Sequence, residues 1–300
     1  MKQPRSLLFS LSCVFALCPL AAPLLAQPEI GGNTCSSSTV SGAYAFTLTG
    51  RQVTAAGNIS SAFQANGSAT FDGLSKVTIT MTADTLQSVG TPTTWSGTYT
   101  MQSNCAGTVT ITSGGSAVLN LVSYNQGVDF LVTGNDAIYN YTGSGNTQPS
   151  SCSAATLSGV YTLTGTGYSL SGTAVNASED GTGLLQFDGV GSVTANFNTS
   201  LVGKAPTVLT LTGSYSISSN CLGSANLTDS TKTNNYVMSI SISNSTAANG
   251  AFFAALAQNG KLLINGSGDA VYGQPTTTAA LGAADPLLES PVESATGRGL

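Results

Sequence analysis

Two aspartates recur in one setting: Asp72 and Asp188 each sit in a Phe-Asp-Gly triplet, 116 residues apart. A repeated carboxylate is the first place to look for a general acid, a nucleophile or a calcium ligand. The competing reading is local. Asp before Gly accepts hydrogen bonds from the backbone of its own turn, and that reading is preferred here. Glycoside hydrolysis would need two carboxylates of one domain facing each other at roughly 5–10 Å. Asp84 and Asp129 are the candidates in the first half, and neither has a counterpart in the second. "SEDGTG" (178–183) offers oxygens for calcium but lacks alternating acidic ligands, so it reads as a solvated loop.

Other chemistries are closed by what the chain does not contain. It has no histidine, which removes Ser-His-Asp and Cys-His catalysis and histidine-ligated zinc. No Gly-rich phosphate loop joins a strand to a helix, and no cofactor is called for. Trp95, Tyr99, Tyr139 and Tyr141 suggest a carbohydrate-stacking strip, but their alternation along strands favours a core.

The cysteines are organised by a duplication. "CSSSTVSGAYAFTLTG" (35–50) aligns with "CSAATLSGVYTLTGTG" (152–167) at an offset of 117. "GTYTMQSNCAG" (97–107) aligns with "GSYSISSNCLG" (213–223) at 116. The repeated positions are Tyr44, Phe71, Asp72, Gly73 and Tyr99 in the first half, and Tyr161, Phe187, Asp188, Gly189 and Tyr215 in the second. A period this long marks a duplicated domain rather than a solenoid unit. Each half opens on a cysteine and carries another about 70 residues later. Duplication therefore predicts Cys35–Cys105 and Cys152–Cys221.

The elements that position these residues read as strands. Tyr44, Phe46 and Leu48 alternate with Ala and Thr, as do Val77, Ile79 and Met81, and Trp95, Gly97, Tyr99 and Met101. This is period two, apolar on one face and hydroxyl on the other. Candidate strands of the first half lie near 43–49, 58–65, 68–72, 76–83, 94–102, 107–113, 117–123 and 127–141, the last divisible at "GND". "AFFAALAQ" (251–258) is ambiguous between helix and strand. About eight strands per half with short connections predict an all-β protein: two tandem, small antiparallel barrels in an up-and-down meander. Two β-sandwiches are the alternative. Periodicity does not say which face points inward; a membrane barrel is disfavoured by strands nearer seven residues and by scattered aromatics.

Residues 1–26 read as a signal peptide: a basic "MKQPR", then an apolar run broken by Pro19 and Pro23 and ending at Ala26. Domain 1 spans 35–143, a Gly/Ser/Pro-rich linker 144–151, domain 2 152–273, and a disordered tail 274–300. The halves are expected to fold independently. Losing Lys2 and Arg5 with the leader takes the net charge from −5 to −7. No basic patch remains for nucleic acid, and the mature chain carries no membrane span. Charged residues are only 7%, against about 25% usually; hydroxyls and amides keep the surface polar, which suits a secreted, periplasmic or cell-surface location. Eight Asn-x-Ser/Thr sites, Asn58 and Asn265 among them, are what such a composition yields by chance.

The order Ser-Gly-x-Tyr, Phe-Asp-Gly, Gly-x-Tyr, Asn-Cys-x-Gly resembles a tandem module of uncharacterised secreted bacterial proteins, over residues 35–273. The second half departs at Trp95, which becomes Leu211. At fold level alone the module is similar to small calycin-like barrels, a group of lipid carriers and a cyclase, which carries no functional residue across. The expectation is a non-catalytic tandem β-domain protein, structural or binding a small apolar ligand or surface glycan. The alternative is a histidine-independent enzyme of hydrolase or isomerase/cyclase type, using carboxylates or a barrel pocket. Side chains such as Tyr44, Phe46, Phe71, Trp95 and Tyr99 are large enough to predict a filled barrel.

Overall fold

In the computed structural model, residues 34–86, 88–172, 174–244, 251–258 and 260–271 are described. The expected leader (1–26) and tail (274–300) lie outside them. The first barrel comprises β1 (Ser41–Val53), β2 (Ile59–Asp72), β3 (Lys76–Thr85), β4 (Thr91–Met101), β5 (Ala106–Ser113), β6 (Val118–Tyr124), β7 (Asp129–Asn135) and β8 (Asn140–Thr147). The second comprises β9 (Ser158–Ser171), β10 (Ala174–Asp188), β11 (Ser192–Leu201), β12 (Thr207–Ile217), β13 (Leu222–Asp229), β14 (Asn235–Ser243), β15 (Ala251–Gln258) and β16 (Leu262–Asp269). Each set pairs in chain order and closes, β1 on β8 and β9 on β16. Closure leaves neither barrel with an unpaired strand edge.

The strands run longer than the sequence suggested. The candidates at 58–65 and 68–72 are one strand, β2, and 127–141 divides into β7 and β8. Gly67, which looked like a break, permits contact: a Cβ there would lie 2.2 Å from Thr80 O on β3. Strand β8 runs to Thr147, so 144–147 of the expected connector complete the first barrel. "SEDGTG" is not a loop; it lies within β10. Its glycines face inward, and a Cβ on Gly181 would meet the Phe197 ring at 2.2 Å.

The apolar face points inward in both barrels. Phe46, Phe63, Ile79, Trp95, Val109, Leu121 and Phe130 pack in the first; Leu163, Leu185, Phe197, Leu211, Met238 and Ile264 pack in the second. Leu211 thus fills the place of Trp95. This is the reverse of a membrane barrel, which turns its apolar face to lipid. The first interior keeps a void of about 30 Å³, lined by side chains such as Phe46, Ile79, Trp95 and Val132. That is the space of one water molecule.

The barrels dock side by side. β1 and β2 lie against β10, β14, β15 and β16. Ala62 and Leu86 from the first barrel join Tyr168, Leu170, Ala257 and Leu263 from the second in one buried apolar cluster. Polar groups bridge beside it: Asn66 Nδ2 donates to Phe253 O at 3.0 Å, and Ser241 Oγ to Gly67 O at 2.5 Å. Asn265 Nδ2 reaches Leu48 O and Ala65 O, both at 3.3 Å. Burying polar groups costs less when they are bonded in this way. β15 is therefore buried on both faces, which explains its lack of alternation: Phe252, Ala254 and Leu256 face the core, while Phe253, Ala255 and Ala257 face away from it, and all six are buried.

Candidate functional site

The repeated residues converge at one end of each barrel. Phe71 stands edge-on to Tyr44 (ring centroids 5.6 Å apart) and to Tyr99 (4.9 Å). Phe187 does the same with Tyr161 (5.6 Å) and Tyr215 (4.9 Å). Tyr99 Oη donates to Ser37 O and Val40 O at 2.8 and 2.9 Å, and Tyr215 Oη to Ala154 O and Leu157 O at 2.9 and 2.8 Å. These carbonyls belong to, or directly follow, a short 3-10 turn that precedes the first strand of each barrel, at Ser37–Thr39 and Ala154–Thr156. Disulfides Cys35–Cys105 and Cys152–Cys221 join the chain just before each turn to the β4–β5 and β12–β13 connections. Cys105 and Cys221 each take φ of 64°, a left-handed conformation unusual for cysteine. The motif is thus a clasp that ties the entering chain over the barrel end. Burial, the larger influence, pushes the Tyr215 hydroxyl up to about 12, so it stays a donor.

Asp72 and Asp188 build the adjoining turns. Asp72 Oδ1 accepts from the N–H groups of Leu74, Ser75 and Lys76 at 2.8, 2.8 and 2.9 Å. Asp188 Oδ1 accepts from Val190, Gly191 and Ser192, each at 2.8 Å. Gly73 and Gly189 follow with φ of 76° and 79°, which glycine adopts without penalty. The Val190 N–H is the largest single cause holding the Asp188 carboxyl down to about 2, and the Lys76 N–H is the largest of those that lower Asp72. Both carboxylates are engaged by backbone, in an arrangement suited to a turn.

The other sequence candidates are separated. Asp84 lies near the end of β3 and Asp129 begins β7, at opposite ends of the first barrel, so they form no catalytic pair. Trp95, Tyr99 and Tyr141 are buried in the core and present no stacking strip; Tyr139 packs against Phe63 at 5.6 Å. Asn265 lies in the inter-barrel seam, 5% exposed.

Open space instead surrounds the β6–β7 connection, which sequence reasoning passed over. Asn125, Gln126 and Gly127 take φ of 51°, 58° and 88°, three left-handed residues in succession. For the two non-glycine residues this costs about 1–2 kcal/mol each. Tertiary contacts hold the turn. Tyr44 Oη donates to Gly127 O at 2.5 Å, and Asn125 Nδ2 to Asp129 Oδ2 at 3.0 Å. Asn146 Nδ2 donates to the other carboxylate oxygen. Gly127 is required, since a Cβ would lie 2.1 Å from Thr39 O. The one trace in the sequence was "YNQG" itself, whose Asn and Gly are the residues most at ease at positive φ.

A cleft of about 450 Å³ opens on one side of this turn, lined by Thr34, Thr39, Asn104, Tyr124 and Gln126 beside the Cys35–Cys105 bridge. A second, of about 300 Å³, opens on the other side between the barrels, where Asn125, Asp129 and Asn146 face Asn244, Ser267 and Asp269. Tyr124, on the wall of the first cleft, is 47% exposed, and burial followed by the charge of Asp129 raises its hydroxyl above the usual tyrosine value. The first cleft offers amides, hydroxyls and the Tyr124 ring; the second adds the Asp129 and Asp269 carboxylates and the Phe252 and Phe253 side chains. Among the described residues, no three of His, Cys, Asp or Glu gather as metal ligands would. The set suits hydrogen-bonded recognition of a neutral, polyhydroxylated ligand.

No protein-family model matches the chain, and no curated protein matches it. Among solved structures, one described as an AttH candidate from Nitrosomonas europaea aligns at 8% identity over 76% of this chain and 91% of its own, with a TM-score of 0.22.

Proposed function

We propose that the protein is an exported, non-catalytic tandem barrel that binds a neutral surface glycan in the clefts flanking residues 124–127. One observation carries this reading. Among the described residues, the interior of the first barrel holds a void of about 30 Å³, whereas about 450 Å³ of cleft, lined by both polar groups and apolar side chains, is open at its end. An apolar ligand of carrier size does not fit the former. A sugar face can stack on Tyr124 while its hydroxyls pair with Gln126 and Asn104. Export is supported by the two disulfides, which persist in oxidising compartments, and by the leader-like N-terminus.

The test is a glycan array probed with the mature protein, followed by titration calorimetry on any hit. Tyr124→Ala and Gln126→Ala should each weaken binding at least tenfold without changing the thermal midpoint. Equal binding by Tyr124→Ala, or stoichiometric uptake of a fatty-acid probe into the barrel, would refute the reading. Turnover of a bound glycan would replace it with the histidine-independent hydrolase.

A further inference from the structure

The seam between the barrels contains two buried groups whose needs match. Gln64 on β2 is 0% exposed, and Asp84, its direct cross-strand partner on β3, is 2% exposed. Gln64 Nε2 donates across the seam to Thr166 O on β9 at 3.4 Å, while its Oε1 is buried with no partner. The Asp84 carboxyl accepts one hydrogen bond, from Gly90 N at 2.6 Å. Among the described residues, an orphan acceptor thus stands opposite a buried carboxyl that forms no ion pair. Directly paired residues hold their Cβ atoms about 4.5–5.5 Å apart, within reach of an O–H···O bond between these side chains. A carboxylate there would face Oε1 as one acceptor facing another.

We propose that Asp84 is held as a carboxylic acid that donates its O–H to Gln64 Oε1, making the seam a latch that acid closes and loss of that proton to solvent loosens. The latch fixes the Gln64 amide, and through Nε2 that amide fixes Thr166 of the second barrel. Asn66, two residues along β2, reaches Phe253 O, and Phe253 lines the inter-barrel cleft.

The electrostatics agree. Burial is the larger influence on Asp84 and pushes it up to about 6; the Gly90 N–H pulls the other way. The charged and titratable groups on the elements around it are Tyr44 and Arg51 on β1, Asp72 on β2, Lys76 on β3, Tyr99 on β4, Tyr161 and Tyr168 on β9, Glu179, Asp180 and Asp188 on β10, Tyr236 on β14 and Asp269 on β16. None contributes to the shift. Asp180, across from Thr166, is exposed. A carboxyl whose folded value is raised stabilises fully below its unfolded value, 3.8, and loses that contribution as pH rises through about 6. Two units correspond to roughly a 100-fold change in the folding constant.

The experiment uses the full mature protein. Carboxyl carbon NMR should show Asp84 titrating near pH 6, and the thermal midpoint should be higher at pH 4.5 than at pH 7.5. Asp84→Asn, whose amide donates at every pH, should flatten that dependence. Gln64→Met, which removes the acceptor of the acid form, should lower the Asp84 midpoint by NMR. Asp180→Asn should leave it unchanged. Titration of Asp84 below pH 5, an unmoved midpoint in Gln64→Met, or loss of the dependence in Asp180→Asn would each overturn the latch.

Discussion

Ser241→Val should uncouple the two barrels while leaving each intact. Ser241 pairs with Leu222, the residue after Cys221; its equivalent in the first barrel, Val122, pairs with Ala106, the residue after Cys105. Val122 is 43% exposed, whereas Ser241 is 0% exposed and bonded to Gly67 O. The substitution thus places the first barrel's residue in the second barrel's docking face. It removes one buried hydrogen bond, worth about 1 kcal/mol. It also overpacks a tight contact, costing about 1–3 kcal/mol. The combined penalty of about 2–4 kcal/mol falls on docking, because the side chain points away from the core. The chain has a single tryptophan, Trp95, inside the first barrel. Its fluorescence therefore follows the first barrel, and far-UV circular dichroism follows both. In the parent the two signals should melt together; in Ser241→Val they should separate, with one component shifted by several degrees. Coincident transitions at the parent temperature would show that the seam does not hold the barrels as one unit, and the reasoning would fail.

Replacing Cys35 and Cys105 with Ala should cost about 4 kcal/mol on the chain-entropy model for a separation of 70 residues, read as a lower urea midpoint for the Trp95 signal; an unchanged midpoint refutes it. Gly67→Val should abolish a cooperative transition, since even a Cβ would lie 2.2 Å from Thr80 O; a normally folded variant would mean β2 and β3 can separate there. Asp188 is held down to about 2, so its contribution is present above 3.8 and disappears as pH falls through about 2. The midpoint difference between parent and Asp188→Asn should accordingly be constant from pH 5 to 7 and shrink below pH 3.5; a difference that grows in acid would contradict the turn assignment.

Local rules carried a large part of this molecule from the sequence. Alternation at Tyr44, Phe46 and Leu48 marks strands because the pleat sends successive side chains to opposite faces. The spacing of Cys35 and Cys105 recurs in Cys152 and Cys221, and the structure joins each of these pairs. Phe-Asp-Gly specified a turn because its bonds stay within four residues. What escaped depends on surfaces brought together from distant parts of the chain. Period two does not tell inside from outside; barrel closure does. β15 read ambiguously because both its faces are buried, one in its own core and one away from it. The positive φ of Asn125 and Gln126 is maintained by Tyr44, 83 residues from Gly127. Asn265 bonds Leu48 O across 217 residues. Asp84 entered as a candidate catalytic carboxylate, and in the fold it is 2% exposed opposite Gln64. Burial of a charge is a property of what packs over it, and only the tertiary structure decides that.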